Sequence, residues 1–168
     1  FDVCKLSIIL EAIRSLTGST DCWLFHDHVL VKEGKSMATP WHHDRPYYIF
    51  EGEMNLSVWM PTSDVSRESS LVFWKGSHKT KDLYMPKAFG NGKELEKSRD
   101  YLVFDETVIP KGEILDFDMK AGDALVFFNT TLHASKPHVD NTSRKAISVR
   151  YLLEGAKMTG SYINATPP

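Results

Sequence analysis

The segment Thr39-Pro40-Trp41-His42-His43-Asp44 sets an imidazole and a carboxylate two residues apart, at His42 and Asp44. On an extended strand, residues i and i+2 point to one face, so the pair can converge on a single point. A third group must come from elsewhere in the chain. His133, 91 residues after His42 and just past the apolar run ALVFFN, is the candidate. Two imidazoles and one carboxylate on one face of a metal leave positions open for a cosubstrate and O₂, as in non-haem Fe(II) oxygenases. For His42 and Asp44 taken alone, a plain His–carboxylate hydrogen bond on a strand is the alternative.

Arg144 stands 11 residues past His133, where the long run RKAISVRYLL begins. A guanidinium there can grip a carboxylate through two parallel hydrogen bonds, which suits the far end of a dicarboxylate cosubstrate. Ser135, two after His133, can add a hydroxyl to the same carboxylate. The alternative for Arg144 is a surface ion pair, and Arg150, which shares its strand face, is the rival anchor. Lys32 ends a strand-like run and shares a face with His26 and His28. It either reaches a carboxylate of cosubstrate or substrate, or is solvated. His26 and His28 form a second His-x-His pair, read as a metal pair or as one inward histidine bonded to a neighbour. One of Tyr47 and Tyr48, which follow the metal motif, is expected to face the cavity and line the substrate. Trp41, Trp59, Trp74 and Phe127–Phe128 read as core aromatics, and His138 as an exposed turn residue.

These side chains need a scaffold. Leu6, Ile9, Leu10, Ile13 and Leu16 recur at helical spacing, which predicts a helix over 4–16 that stops at Gly18. Aromatic and β-branched runs predict strands at 22–32, 55–60, 71–74, 101–108, 113–118, 124–129 and 144–153, with an extended stretch over 37–44. Residues 79–100 carry Pro86, Gly90, Gly92 and many charges without periodicity, and read as a loop or lid. Short strands joined by Gly, Pro and Asp turns predict a mainly β antiparallel sandwich or jelly roll with a flanking helix. The expected organisation is one domain over 1–168, with the helix in 1–20 and the β core in 21–155.

The chain has 168 residues, with 20 Lys+Arg against 22 Asp+Glu and 42% hydrophobic residues. That balance gives no support for nucleic-acid binding and is enough for a packed core. No apolar run approaches the roughly 18 residues of a membrane span. Cys4 and Cys22 are too few for a disulfide scaffold and read as reduced thiols of a cytoplasmic protein, with a single bridge between them as the alternative. The chain opens at Phe1 inside a helical pattern, and we expect the N-terminus to be shortened.

Taken in order, TPWHHD, LSVWMP, the GSHK of Gly76–Lys79, GDALVFFNTTLHAS and NTSRKAISVRY resemble the phytanoyl-CoA dioxygenase family, from about residue 22 to 153. The resemblance implies a cupin-like double-stranded β-helix with Fe(II) held by His42, Asp44 and His133. It implies 2-oxoglutarate bound at its C5 carboxylate by Arg144, with Ser135 assisting and Trp59 lining the cosubstrate. The implied reaction consumes O₂ and hydroxylates an unactivated C–H bond of a small-molecule substrate, releasing succinate and CO₂. Related halogenases lack the carboxylate ligand, so Asp44 points to hydroxylation. There are two departures from the family pattern. His43 stands where Gln is common, its side chain expected to face away from the metal, and SRESSLVFW replaces a Gly-rich turn. The family's N-terminal helical region, which often lines the substrate site, is the part expected to be missing. Two rivals are a non-catalytic jelly-roll ligand-binding domain and another cupin-type enzyme holding Zn²⁺ or Mn²⁺. Neither needs a dicarboxylate anchor, so Arg144 separates them from the oxygenase. The oligomeric state is not legible.

Overall fold

The structure is a computed structural model that describes residues 3–80, 82–87, 101–110, 112–138 and 141–159. A 3₁₀ turn, Val3–Lys5, leads into α1, Ser7–Thr17. Gly18 ends this helix at φ 71°, in the left-handed conformation that costs a glycine nothing, and its N–H closes on the Arg14 carbonyl at 2.8 Å. The buried stripe is narrower than the periodicity predicts. Ile13 is buried and Ile9 and Leu10 pack beside it, whereas Leu6 and Leu16 are exposed.

Among the described residues ten strands follow: β1 (Cys22–Lys32), β2 (Thr39–His42), β3 (Phe50–Glu51), β4 (Leu56–Pro61), β5 (Leu71–Trp74), β6 (Ile114–Asp116), β7 (Leu125–Phe128), β8 (His133–Ser135), β9 (Arg144–Leu153) and β10 (Lys157–Met158). Eight of them form two four-stranded sheets ordered β1-β9-β4-β7 and β2-β8-β5-β6, and β3 pairs with β10. All the ladders are antiparallel. Apart from the β5–β6 hairpin, successive strands of the two larger sheets alternate between them, which is the double-stranded β-helix expected from the sequence.

β9 shows how the sheet splits its labour. Ile147, Val149, Tyr151 and Leu153 face outward and form one core cluster with Leu56, Val58 and Ile13, under α1. Arg144, Ala146, Ser148 and Arg150 alternate with them. Ala146 joins the second cluster, with Trp59, Leu71, Phe73 and Met119. The interior face therefore mixes apolar packing with buried arginines, and the polar part of that face is where chemistry can occur.

Two expected elements differ. Residues 101–108 do not form a strand. They make a single parallel bridge, Tyr84 to Leu102, and a 3₁₀ turn at Glu106–Val108. Asp105 caps that turn by accepting from the Thr107 N–H at 2.9 Å. Val103 is exposed and Phe104 is buried, and among the described residues nothing pairs with this stretch beyond the bridge at Leu102. The stretch 37–44 is extended only over Thr39–His42. Most of the expected lid, 81 and 88–100, lies outside the described residues. Its described part, 79–80 and 82–87, includes buried Met85 and Pro86. Among the described residues, no helix is long and apolar enough to cross a membrane.

Candidate metal centre

His42 and His133 are direct partners across the β2–β8 ladder, with a register irregularity between Thr39 and His42. Side chains opposite one another on antiparallel strands lie about 4.5–5.5 Å apart at Cβ, and here the two ring centroids are 4.2 Å apart. Asp44 arrives differently from the strand alternation expected. β2 ends at His42, and Asp44 has φ −69° and ψ −35°, at the entry to a 3₁₀ turn, Arg45–Tyr47. Pro46 favours this turn, because its fixed φ suits a helical start and it has no N–H to offer a ladder. The turn swings the carboxylate back over the two imidazoles.

One ligand atom from each of His42, Asp44 and His133 lies within 4.8 Å of the others, and all three residues are buried. Nδ1 of His42 faces the Pro40 carbonyl at 2.8 Å, and Nδ1 of His133 faces the Thr131 carbonyl at 3.0 Å. A carbonyl only accepts, so each Nδ1 carries the proton and each Nε2 presents a lone pair. Those Nε2 atoms stand 3.8 and 3.7 Å from Oδ1 of Asp44, which accepts no hydrogen bond among the described residues. Burial, then the neighbouring His133, holds His42 down to about 3. Burial also lowers His133. Burial pushes Asp44 upward, but Arg150 and the two histidines outweigh it and bring it to about 2. Two neutral imidazoles and an ionised carboxylate are the protonation states metal ligation requires. A buried carboxylate oxygen facing two lone pairs with no hydrogen between them is a contact that a cation relieves, so the donor set fits a divalent metal.

Phe127 and Phe73 lie against His133, with ring centroids at 4.7 and 5.9 Å. The triad opens into a cavity of about 350 Å³ lined by His42, His133, Trp59, Ser135, Lys32, Arg144 and Arg150, among others. Lys32 is the direct ladder partner of Arg144. Like charges directly opposite are unfavourable, and Lys32 shows it. Burial lowers Arg144 to about 10; burial, then Arg144, lowers Lys32 to about 8. Arg144 sits 5.4 Å over the Trp59 ring and donates to the Ser69 carbonyl. Its Nε and the Trp59 indole N–H are buried with no hydrogen-bond partner among the described residues. Lys32 donates to the Met37 and Lys136 carbonyls at 2.7 and 3.3 Å.

Other expected residues lie elsewhere. Tyr47 is buried, its hydroxyl bonded to the Lys87 carbonyl at 2.7 Å, and Tyr48 is buried with its hydroxyl accepting from Arg150 Nε at 2.8 Å. Neither is among the residues lining the triad's cavity. Arg150 is 3.6 Å from Oδ2 of Asp44, so it lies at the metal end of the strand face. His43 turns away, with Nδ1 on the Thr130 carbonyl at 2.7 Å and its ring stacked on Tyr84. His26 and His28 pack ring against ring at 4.8 Å, and burial, then Arg150, brings His26 down to about 4. His138 is buried, not exposed; it meets the Thr142 carbonyl at 2.7 Å and Ser69 Oγ at 3.3 Å. The sequence reading passed over Ser57, whose hydroxyl bonds Asp44 at 2.6 Å. Its position two before Trp59, on the same strand face, was the available signal.

A double-stranded β-helix with two histidines and a carboxylate converging at one end of its interior is the frame of the non-haem oxygenase class. The phytanoyl-CoA dioxygenase family model matches residues 2–146, and the chain belongs to that family. No curated protein sequence matches it significantly. Among solved structures it is similar to the carbocyclase SnoK from nogalamycin biosynthesis, described as non-heme and alpha-ketoglutarate dependent. The TM-score there is 0.69 and the identity 20%, over 89% of this chain and 56% of that one. The epimerase SnoN, solved with Fe³⁺, alpha-ketoglutarate and a nogalamycin compound, gives a TM-score of 0.67 and 24% identity over 91% of this chain and 59% of that one. The apo non-heme monooxygenase ThoJ gives 0.68 and 21%, over 91% and 54%. The chain thus spans a little over half the length of these three structures.

Proposed function

We propose that the protein is an Fe(II)- and 2-oxoglutarate-dependent dioxygenase that hydroxylates an unactivated C–H bond of a small molecule, releasing succinate and CO₂. One observation carries the reading: a single cavity has His42 and His133 of the His42-Asp44-His133 triad on its wall and the Lys32–Arg144 rung beside them. Two partly desolvated cations facing each other call for an anion with more than one acceptor, and a carboxylate supplies it. Arg144 would bind the distal carboxylate of 2-oxoglutarate through its fork, Lys32 would add a second charge, and Ser135 a hydroxyl. Trp59 walls that end and has an indole N–H to donate. Iron(II) held by His42, Asp44 and His133 would couple O₂ activation and oxidative decarboxylation of 2-oxoglutarate to oxidation of the substrate. Phe73 and Phe127 shield the His133 side from water, as oxidation of a strong C–H bond requires. A cytoplasmic setting, with Cys4 and Cys22 as free thiols, belongs to the same proposal.

The test is anaerobic addition of Fe(II) and 2-oxoglutarate. A visible charge-transfer band, followed by succinate release on admitting O₂, is the expected result. A colourless protein with no succinate overturns it in favour of a binding domain or a different metalloenzyme. Product analysis then separates hydroxylation from epimerisation or ring closure.

A further inference from the structure

The two oxygens of Asp44 are used unequally. Oδ1 faces the histidine Nε2 atoms and accepts no hydrogen bond among the described residues. Oδ2 accepts from Ser57 Oγ at 2.6 Å and lies 3.6 Å from Arg150 Nε. Ser57 and Arg150 are direct partners across the β4–β9 ladder, and both are buried. Strand pairing therefore delivers a hydroxyl and a guanidinium together, under the turn that carries Asp44. Arg150 is itself fixed from the other side, since its Nε donates to the Tyr48 hydroxyl at 2.8 Å.

We propose that Ser57 and Arg150 are positioning residues that occupy Oδ2 of Asp44 and restrict this carboxylate to one-oxygen ligation through Oδ1. The inference rests on the metal-site reading above. A carboxylate can bind a metal through one oxygen or both. In an octahedral shell, three single-atom ligands leave three positions, enough for a chelating 2-oxo acid and one further small ligand. A second oxygen from Asp44 would close one of them. The hydroxyl and the guanidinium hold that oxygen away, as outer-shell partners of ligating carboxylates do. This role separates the two interior arginines of β9: Arg150 serves the metal ligand and Arg144 is left for the cosubstrate.

The test uses Co(II) as an anaerobic probe on the whole chain, comparing wild type with Ser57→Ala, Ser57→Thr, Arg150→Lys and Asp44→Ala. Ser57→Ala is expected to raise the Co(II) Kd about tenfold and to change the ligand-field spectrum as the second carboxylate oxygen enters the shell. Ser57→Thr, which keeps the hydroxyl, restores both. Arg150→Lys keeps the charge but loses the Tyr48 bond. It is expected to alter the spectrum in the same sense, and it serves if Ser57→Ala does not fold. A purely structural role would lower the melting temperature and leave the Co(II) spectrum as in wild type, and that result overturns the proposal. Loss of Co(II) in Asp44→Ala alone, with Ser57→Ala and Arg150→Lys unchanged, keeps the metal site and removes the positioning role. Wild-type Co(II) binding by Asp44→Ala removes the metal-site reading and the positioning role with it.

Discussion

Arg144 and Arg150 lie on one strand, on one face, both buried, and they differ in what they meet. Arg150 has a carboxylate at 3.6 Å and a phenol at 2.8 Å. Arg144 has a backbone carbonyl, an indole face and an opposing lysine. One guanidinium is neutralised within the fold, and the other is held beside a second cation. A buried charge with its counter-ion is part of the frame. A buried charge facing its own sign marks where an anionic ligand restores the balance.

The largest effect is expected at the neutralised end. Asp44→Ala should abolish metal-dependent turnover, and it also strands Arg150. Breaking a buried pair from one side costs about 3–5 kcal/mol, to be read by urea unfolding of metal-free protein. Arg144→Met, which leaves no buried anion behind, should stay within about 1 kcal/mol of wild type. Equal losses in the two variants would erase the contrast between the arginines.

Next in size is cosubstrate binding. Arg144→Lys keeps the charge and loses the fork. The apparent KM for 2-oxoglutarate should rise about ten- to a hundredfold, the equivalent of roughly 1.5–3 kcal/mol for a hydrogen bond to a charged group, while iron affinity holds. If KM is unchanged, Arg144 is not the anchor.

The opposing lysine sharpens the comparison through pH. Burial and Arg144 lower Lys32 to about 8, against an ordinary 10.5. Between these values the unfolded chain holds the proton more firmly than the folded one, so stability should rise with pH through this window relative to Lys32→Met. The charged form is the one that attracts a dicarboxylate. The apparent KM for 2-oxoglutarate should therefore rise several-fold as pH passes 8, and Lys32→Met should flatten that rise. Smallest is Trp59→Phe, which keeps a ring under Arg144 but loses the indole N–H and the strongest cation–π partner. A change of about 0.5–1 kcal/mol, or a KM shift of a few-fold, is expected.

Much of this frame is written in local pattern. The alternation at Arg144, Ala146, Ser148 and Arg150 reads directly as one strand face, and Gly18 marks the helix end. What stayed hidden depends on partners distant in sequence. β8 is only three residues long, too short for any periodicity, and exists because β2 and β5 flank it. Asp44 looked like the second beat of a strand, yet Pro46 turns the chain one step earlier than alternation assumes. Residues 101–108 have strand composition and find only one bridge, at Leu102, among the described residues. Ser57 is an ordinary serine until the fold sets a carboxylate above it.

The ladder between β2 and β8 has only two paired positions, Thr39 with Ser135 and His42 with His133, and β2 is the edge of its sheet. The seam that carries the metal ligands is thus among the shortest ladders of the described residues. An ion bridging His42 to His133 would act as a clasp between segments 91 residues apart in sequence. At a free concentration 100 times its Kd it would add about 2.7 kcal/mol to the folded state. Amide exchange should be fast along this seam in metal-free protein and slow there first as metal is added, so that loading the ion and closing the sheet edge are one event.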